Sequence, residues 1–420
     1  MAGEAALGGL WEKARRVAGA TAGPGSALLT GKSAERLARR LSRLRGAAMK
    51  LGQLLSLEGD DLLPPEVARA LAPLRADAEA MPDAQLRRVL ARNLGKGWRD
   101  LFLEFDFEPL AAASIGQVHA AVARDGRRLA LKIQYPGVAR SIESDVENLA
   151  SALRLARLLP GGLDLSGAVA EAKVQLRREA DYLAEAENLR RYRELVADEP
   201  DLVVPRVHRD LTTRRVLAMD ALPGLPLEEL SGHGQPQALR DRVAGLLYRL
   251  LFRELFEFRF VQTDPNFANY LWLPAEGKVG LLDFGATRAV PEALARGYAL
   301  ALKSAVAGDR AGLRRAAEAM GYLAPDERRE RADGILALLE LGAEPLARPG
   351  LYDFARSELP ARLRDRVIEL SFRRGWLRPP PPEAIFLHRK LAGTFLLCAR
   401  LRARLDLRAL LAPWIALPGV

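Results

Sequence analysis

Apolar residues recur along this chain at two different periods. Leu37, Leu41, Leu44, Met49, Leu51, Leu54 and Leu55 approximate one helical stripe, and Ser33 ahead of them reads as an N-cap, so a long helix is expected from Ser33 to about Leu57. Two further helices are expected from Pro64-Pro65 to Leu74 and from Pro82 to Leu94. From Trp98 onward the pattern shortens. Apolar runs bounded by turn residues predict strands at Trp98–Phe107, Val118–Ala123, Leu129–Ile133, Leu202–Val207 and Arg214–Met219. Helices at Ser141–Leu159 and Ser166–Val196 interrupt them, separated by Pro160-Gly161-Gly162. Arg240–Phe258 is amphipathic at helical spacing. It leads into a hairpin, Tyr270–Leu273 and Val279–Leu282, turned at Pro274–Lys278. The remainder reads as helices broken at Pro325, Pro345, Pro349 and Pro379–Pro382, the last long one being Ile385–Leu405. Strands held between two helical regions predict an α+β fold.

Composition narrows this picture modestly. A chain of 420 residues, 49% of them hydrophobic, holds two domains or one bilobal fold with a sizeable core. The net charge of +10 comes mostly from arginine, which a GC-rich genome explains more simply than attraction to anionic lipid or nucleotide phosphates does. No basic run interleaves with aromatics, so no nucleic-acid partner is expected. The single cysteine, Cys398, excludes a disulfide framework and points to a reducing cytoplasmic setting. His119, His208, His233 and His388 are scattered without metal-ligand spacing. The first residues lack the pattern of a signal peptide, and no apolar stretch reaches the ~18 residues that would predict a membrane span.

The candidate chemistry concentrates in Val261–Arg288, V-Q-T-D-P-N-F-A-N-Y-L-W-L-P-A-E-G-K-V-G-L-L-D-F-G-A-T-R. Asp264 and Asn269 stand five residues apart before the hairpin, and Asp283 follows it within D-F-G. Two carboxylates and a carboxamide at hairpin ends form a hard oxygen set that favours Mg²⁺ over zinc. Protein kinases space a catalytic Asp, a metal-binding Asn and a metal-binding D-F-G Asp in this way.

Upstream residues extend the pattern. P-L-A-A-A-S-I-G-Q-V-H, Pro109–His119, occupies the place of a glycine-rich phosphate loop, with Ala111, Ala113, Gly116 and Val118 in register. Ala111, Ala112, Ala113, Ser114, Gly116 and Val118 are therefore the candidate nucleotide contacts of this loop. Each alanine in place of glycine limits how closely the backbone approaches phosphate oxygens. Lys132 lies within an apolar strand at the position of the phosphate-binding lysine and needs a glutamate partner. Glu179, Glu185 and Glu187 are candidates; Glu179 and Glu185 are six residues apart, off a common helical face, and so should take different partners. Met219–Leu227 reads as the hinge, where Met219 and Leu222 would meet adenine. After D-F-G the chain runs through A-T-R-A-V-P-E-A straight into a helix, with almost no segment on which to dock a peptide.

Six ordered motifs carry a resemblance: K-L-G-Q at Lys50, A-A-A-S-I-G-Q-V-H at Ala111, K-I-Q-Y-P-G-V at Lys132, E-A-D-Y-L-A-E-A at Glu179, Q-T-D-P-N-F-A-N at Gln262 and L-L-D-F-G-A-T-R at Leu281. The chain resembles the UbiB family of atypical kinases, the ADCK group linked to coenzyme Q biosynthesis, over roughly Leu37–Leu405. The resemblance implies a bilobal kinase-like fold with an N-terminal helical extension (1–95), an N-lobe (96–222) and a helical C-lobe (223–420). It implies that the helix carrying Lys50, Gly52 and Gln53 covers the active site and that Glu179 and Asp181 anchor it. Glu185 would pair with Lys132, Asp264 would be the catalytic aspartate, and Asn269 and Asp283 the Mg²⁺ ligands. ATP and ADP are the implied nucleotides, bound and hydrolysed at a membrane surface. UbiB-type bacterial members carry C-terminal transmembrane helices; this chain shows none and is more similar to soluble-ended ADCK-type members, with peripheral attachment through basic amphipathic helices.

The expected function is thus a Mg²⁺-dependent ATPase or small-molecule kinase supporting isoprenoid quinone (ubiquinone) lipid biosynthesis. Expected partners are a quinone precursor or other isoprenoid lipid, an anionic membrane surface and quinone-biosynthesis proteins. The alternative is a nucleotide-gated lipid- or partner-binding pseudokinase that needs no phosphoryl transfer. A true protein kinase is disfavoured by the missing peptide platform.

Overall fold

The computed structural model describes residues 80–155, 166–232, 234–370 and 382–416. The expected helices over Ser33–Leu57 and Pro64–Leu74, and with them Lys50, Gly52 and Gln53, lie outside the described residues.

The first described helix, α1 (Asp83–Leu94), is followed by β1 (Phe102–Ala113), β2 (Gly116–Ala123) and β3 (Arg128–Gln134). Next come α2 (Val138–Leu155), α3 (Ser166–Glu179) and α4 (Tyr182–Leu195), then β4 (Leu202–Val203) and β5 (Val216–Asp220). Four of these strands form an antiparallel sheet in the order β1-β2-β3-β5. Leu86 and Leu90 of α1 pack with Trp98, Phe102, Leu129, Leu131, Ile133 and Val216. The helix expected to belong to an N-terminal extension therefore shares the core of the small lobe.

The sequence pattern misplaces two boundaries here. β1 begins later and runs further than expected, so the alanine-rich stretch is not a separate loop but the end of a strand. The Ala111↔Val118 and Ala113↔Gly116 pairs carry it into a tight turn at Ser114-Ile115. The single helix expected over Ser166–Val196 breaks at Ala180-Asp181. Asp181 caps the new helix, accepting from Leu183 N and Ala184 N, because its short carboxylate satisfies first-turn donors better than a continued helix would use it.

The larger lobe contains β6 (Leu225–Pro226), α5 (Gln237–Phe252), β7 (Phe260–Gln262), β8 (Tyr270–Leu273), β9 (Lys278–Leu281) and β10 (Thr287–Ala289). It continues with α6 (Glu292–Ala307), α7 (Arg310–Ala319), α8 (Arg329–Ala347), β11 (Tyr352–Asp353) and α9 (Leu359–Ile368). The last elements are α10 (Pro382–Arg400), β12 (Arg404–Leu405) and α11 (Leu407–Ile415). α5 does not run on to Phe258 as a regular helix; Arg253–Phe258 is a π-helical turn, ended by Arg259 in the left-handed region at φ 48. β7 pairs with β10, and β8 with β9, so the two candidate loops leave neighbouring ribbons. The architecture is the expected α+β bilobal one. Its largest core joins Tyr192 of α4, the α5 apolar face, Phe284 and Leu397 of α10. Among the described residues no helix is long and apolar enough to cross a membrane.

Candidate active site

The site is built where β3, α4 and the turns after β7 and β9 converge. Lys132 points inward from β3 and is buried, a placement that demands compensation for its charge. Its ammonium donates to Glu185 Oε1 at 2.8 Å and lies 3.2 Å from Asp283 Oδ2. Burial alone would push the lysine down, but the Asp283 and Glu185 carboxylates more than offset this and hold it well above its ordinary value. The Glu185 carboxyl is fully buried, and that burial raises it to about 7 against the pull of Lys132. Lys132 therefore keeps its proton throughout the neutral range, and Glu185 is the member that titrates there.

Glu179 is also buried, and the Ser114 hydroxyl donates to its Oε2 at 2.5 Å. The two glutamates thus meet different partners. The reason is the helix break between them rather than rotation along one helix. The tip of the β1–β2 hairpin is pinned by this bond to the end of α3. Gly116 sits where β2 crosses β3; a Cβ there would lie 2.2 Å from the Ile133 carbonyl oxygen, so no side chain fits. Gln117 and His119, from the same motif, face the lobe's core instead. Gln117 Oε1 accepts from Met81 N at 2.7 Å, its Nε2 contacts His119 Nε2 at 2.6 Å, and His119 Nδ1 meets the Asp106 carbonyl at 2.9 Å. An amide donor on Nε2 assigns the His119 proton to Nδ1. Burial lowers His119, in keeping with a neutral ring.

The two metal-type loops are joined by one side chain. Gln262 Nε2 donates to the Asp264 carbonyl at 2.9 Å and to the Asp283 carbonyl at 3.0 Å. Asn269 Nδ2 donates to the same Asp264 carbonyl at 2.8 Å, and Leu282 N donates to Asn269 O at 3.0 Å. Asp283 Oδ1 accepts from Gly285 N at 3.0 Å. Phe284 is buried against Tyr192, ring centroids 4.5 Å apart, and Asn188 Nδ2 holds its carbonyl at 3.0 Å. Asn269, before the β8–β9 hairpin, and Asp283, after it, line one small cavity together with Gln262. Among the described residues no three His, Cys, Asp or Glu side chains are grouped to hold a metal alone. A carboxylate and a carboxamide fit Mg²⁺, which takes its remaining oxygens from phosphates and water.

On the hinge side, Met219 is buried and pairs in register with Ala130 of β3. Leu222 packs over Gly280, where a Cβ would come within 2.9 Å of Leu222 Cδ1. Val118 pairs with Lys132 across β2 and β3. Asp181, besides capping α4, lies 3.8 Å from Arg214, and its relation to Lys50 falls outside the described residues.

The ABC1 atypical kinase-like domain matches residues 73–317. The chain belongs to that family. It is 42% identical over 385 residues to the rat protein "Atypical kinase COQ8B, mitochondrial", covering 92% of this chain and 72% of that one. It is 38% identical over 381 residues to the Saccharomyces cerevisiae "Atypical kinase COQ8, mitochondrial", covering 90% and 75%. Among curated relatives the chain spans from 37% to 75% of their length. The Mycobacterium tuberculosis protein Rv3197, solved in complex with erythromycin, is similar in structure with a TM-score of 0.64 and 28% identity, over 91% of this chain and 96% of that one. The expected resemblance to the UbiB and ADCK atypical kinases is thus correct.

Several residues at the site lie beyond the sequence reading. Arg389 of α10 donates to Asp264 Oδ1 at 2.8 Å, and its neighbour Lys390 forms a buried ion pair with Glu254 at 2.9 Å. Glu254 also accepts from Tyr192 Oη and from Gln262 N, both at 2.8 Å, so the π-helical turn braces the start of the segment that carries Asp264. Arg288 of the D-F-G-A-T-R motif pairs with Glu171 and stacks its guanidinium 5.3 Å from the Phe386 ring. Two adjacent basic residues inside an apolar helix were a usable signal for α10, since buried cations require partners. Asn188 stands three residues after Glu185, on the same helical face.

Proposed function

We propose that this chain is a Mg²⁺-dependent ATP-using enzyme. It hydrolyses ATP or passes the γ-phosphoryl group to a small or lipid-like hydroxyl, in support of isoprenoid quinone biosynthesis. The observation that carries the reading is the buried Lys132, held between Glu185 and Asp283 beside a catalytic loop tied by Gln262. Lys132 is positioned for the α- and β-phosphates of ATP or ADP. Ala111, Ala112, Ala113, Ser114, Gly116 and Val118 would cover those phosphates, and Met219 and Leu222 would enclose the adenine. Asn269 and Asp283 would hold Mg²⁺, which when bound neutralises charge across the phosphates. Asp264 orients the attacking oxygen. Lys50, Gly52 and Gln53 would cover the cleft, with Glu179 and Asp181 anchoring their helix.

The short path from Asp283 to α6 supports a non-peptide acceptor. The COQ8 names of the relatives support the link to quinone lipids, and the basic charge supports peripheral contact with an anionic membrane face in a reducing compartment. The test is phosphate release by purified protein, with and without anionic liposomes and a quinone-precursor mimic. Wild type should turn over and respond to both additions, and Asp283→Asn should lose Mg²⁺-dependent nucleotide binding. Unchanged Mg·ATP affinity in that variant would sink the assignment. An Asp264→Asn chain that binds ATP and still functions in cells would favour the nucleotide-gated binding protein instead.

A further inference from the structure

Phosphoryl transfer builds negative charge on the moving group, and the catalytic loop itself offers nothing to meet it. The segment Asp264–Asn269, D-P-N-F-A-N, contains no lysine or arginine. Lys132 is paired with Glu185 and Asp283. A cation does reach Asp264, but from a distant part of the chain. Arg389 Nη2 lies 2.8 Å from Asp264 Oδ1, across a sequence separation of 125 residues, and both side chains are buried.

The placement of this guanidinium is tightly determined. Its Nη1 donates to Gln175 Oε1 of α3 at 2.5 Å. Gly393, one turn further along α10, meets Pro265 so closely that a Cβ would lie 2.0 Å from the ring. Lys390 fixes the same turn through Glu254. Two buried donors at this point, Arg389 Nε and Gln175 Nε2, have no hydrogen-bond partner. Buried donors are nearly always satisfied, and these two are free to meet an acceptor oxygen, whether of water or of a phosphoryl group.

We propose that Arg389 is a catalytic residue, the cation that stabilises the transferring phosphoryl group, supplied in cis by the last long helix and steadied by Gln175. The inference rests on the ATP-using function proposed above. A group in contact with Asp264 is one hydrogen bond from the attacking oxygen that Asp264 orients. In the step, the terminal P–O bond of ATP breaks and its electron pair leaves on ADP. A new P–O bond forms to the oxygen of water or an acceptor hydroxyl, and that oxygen's proton passes to Asp264 and then to solvent. Held by Asp264 and Gln175, Arg389 offers its remaining donor to the phosphoryl oxygens as charge develops there, as arginine fingers do elsewhere.

The experiment compares wild type, Arg389→Lys and Gln175→Met by melting temperature, Mg·ADP affinity, the gain in ADP affinity on adding fluoroaluminate, and phosphate release. Lysine keeps the charge but loses the fork of donors. Arg389→Lys should keep Mg·ADP affinity within about threefold, while kcat and the fluoroaluminate gain both fall about 10²–10³-fold. Gln175→Met, which keeps the arginine, should show the same pattern at smaller size and settles the matter if the lysine variant does not fold. Wild-type turnover in both variants, or equal losses of ADP and ADP–fluoroaluminate affinity, overturns the proposal. Wild type that binds Mg·ATP without turnover or fluoroaluminate gain overturns the inference and leaves nucleotide binding standing; wild type that binds no nucleotide overturns both.

Discussion

Replacing Gly393 by alanine tests whether α10 sets the position of the catalytic loop. The added Cβ would lie 2.0 Å from Pro265 Cγ and 2.8 Å from its Cβ. Carbon atoms settle at about 3.5–4.0 Å, so helix and loop must part by about 1.5 Å. A proline ring cannot swing aside as a long side chain can, and the loop's next residue back is Asp264. Overpacking of this kind costs about 1–3 kcal/mol, of which up to ~1 kcal/mol is returned because alanine favours helix over glycine. The net loss of stability should therefore be small, and the effect on chemistry large. A displacement of ~1 Å at a reacting group costs about 10²-fold. We expect kcat for phosphate release to fall about 100-fold while Mg·ADP affinity, which the proposed function assigns to Lys132 and the hinge, stays within about threefold. Gly297→Ala is the matched control: its Cβ would meet Met320 Cγ at 2.3 Å, in α6 and away from the cleft. Met320 can bend away, so this variant should keep its turnover. Turnover within about twofold of wild type in Gly393→Ala, in a folded protein, would refute the idea that α10 positions the loop.

Glu185, raised to about 7 from an ordinary 4.5, gives a pH signature whose sign can be fixed. Its folded value lies above its unfolded one, so its contribution to stability is full below about 4.5 and is lost as pH rises through about 7. Turnover should run the other way, rising through about 7 as the ionised carboxylate secures Lys132, and Glu185→Gln should remove that inflection from a kcat/KM profile; an unchanged inflection would place the titration elsewhere. Gly116→Ala should lose thermal stability and nucleotide affinity together, because its Cβ would lie 2.2 Å from a strand carbonyl; melting and ADP titration check both. Ala113→Gly should change the ratio of ATP to ADP affinity by relaxing the phosphate approach, and identical affinities for both nucleotides in variant and wild type would contradict this.

Local pattern carried much of the fold. The β8–β9 hairpin, the D-F-G turn and the Lys132 strand were legible because each is a short apolar run bounded by turn residues. Family motifs then supplied Glu185 as the lysine partner, where spacing alone left three glutamates open. Asp181 shows where periodicity misled: a continuous helical stripe conceals a cap that ends one helix and starts another. The alanine stretch misled in the same way, since a strand end and a loop share its composition. The larger omission was long-range. Gln262 was visible only as a letter in a motif, yet it stitches two loops together through its amide. Arg389 lies 125 residues from the carboxylate it touches, and no local pattern carries that distance.

That distance also orders events during synthesis. At roughly 5–20 residues per second, Arg389 is added to the chain some 6–25 seconds after Asp264. A growing chain can fold its small lobe, place Lys132 against Glu185 and close the hairpin of the larger lobe. Until α10 docks, the Asp264 carboxylate lacks the arginine that faces it and Glu254 lacks its lysine. The two adjacent cations of one helical turn are thus late-made partners for two buried carboxylates that the chain has already laid down.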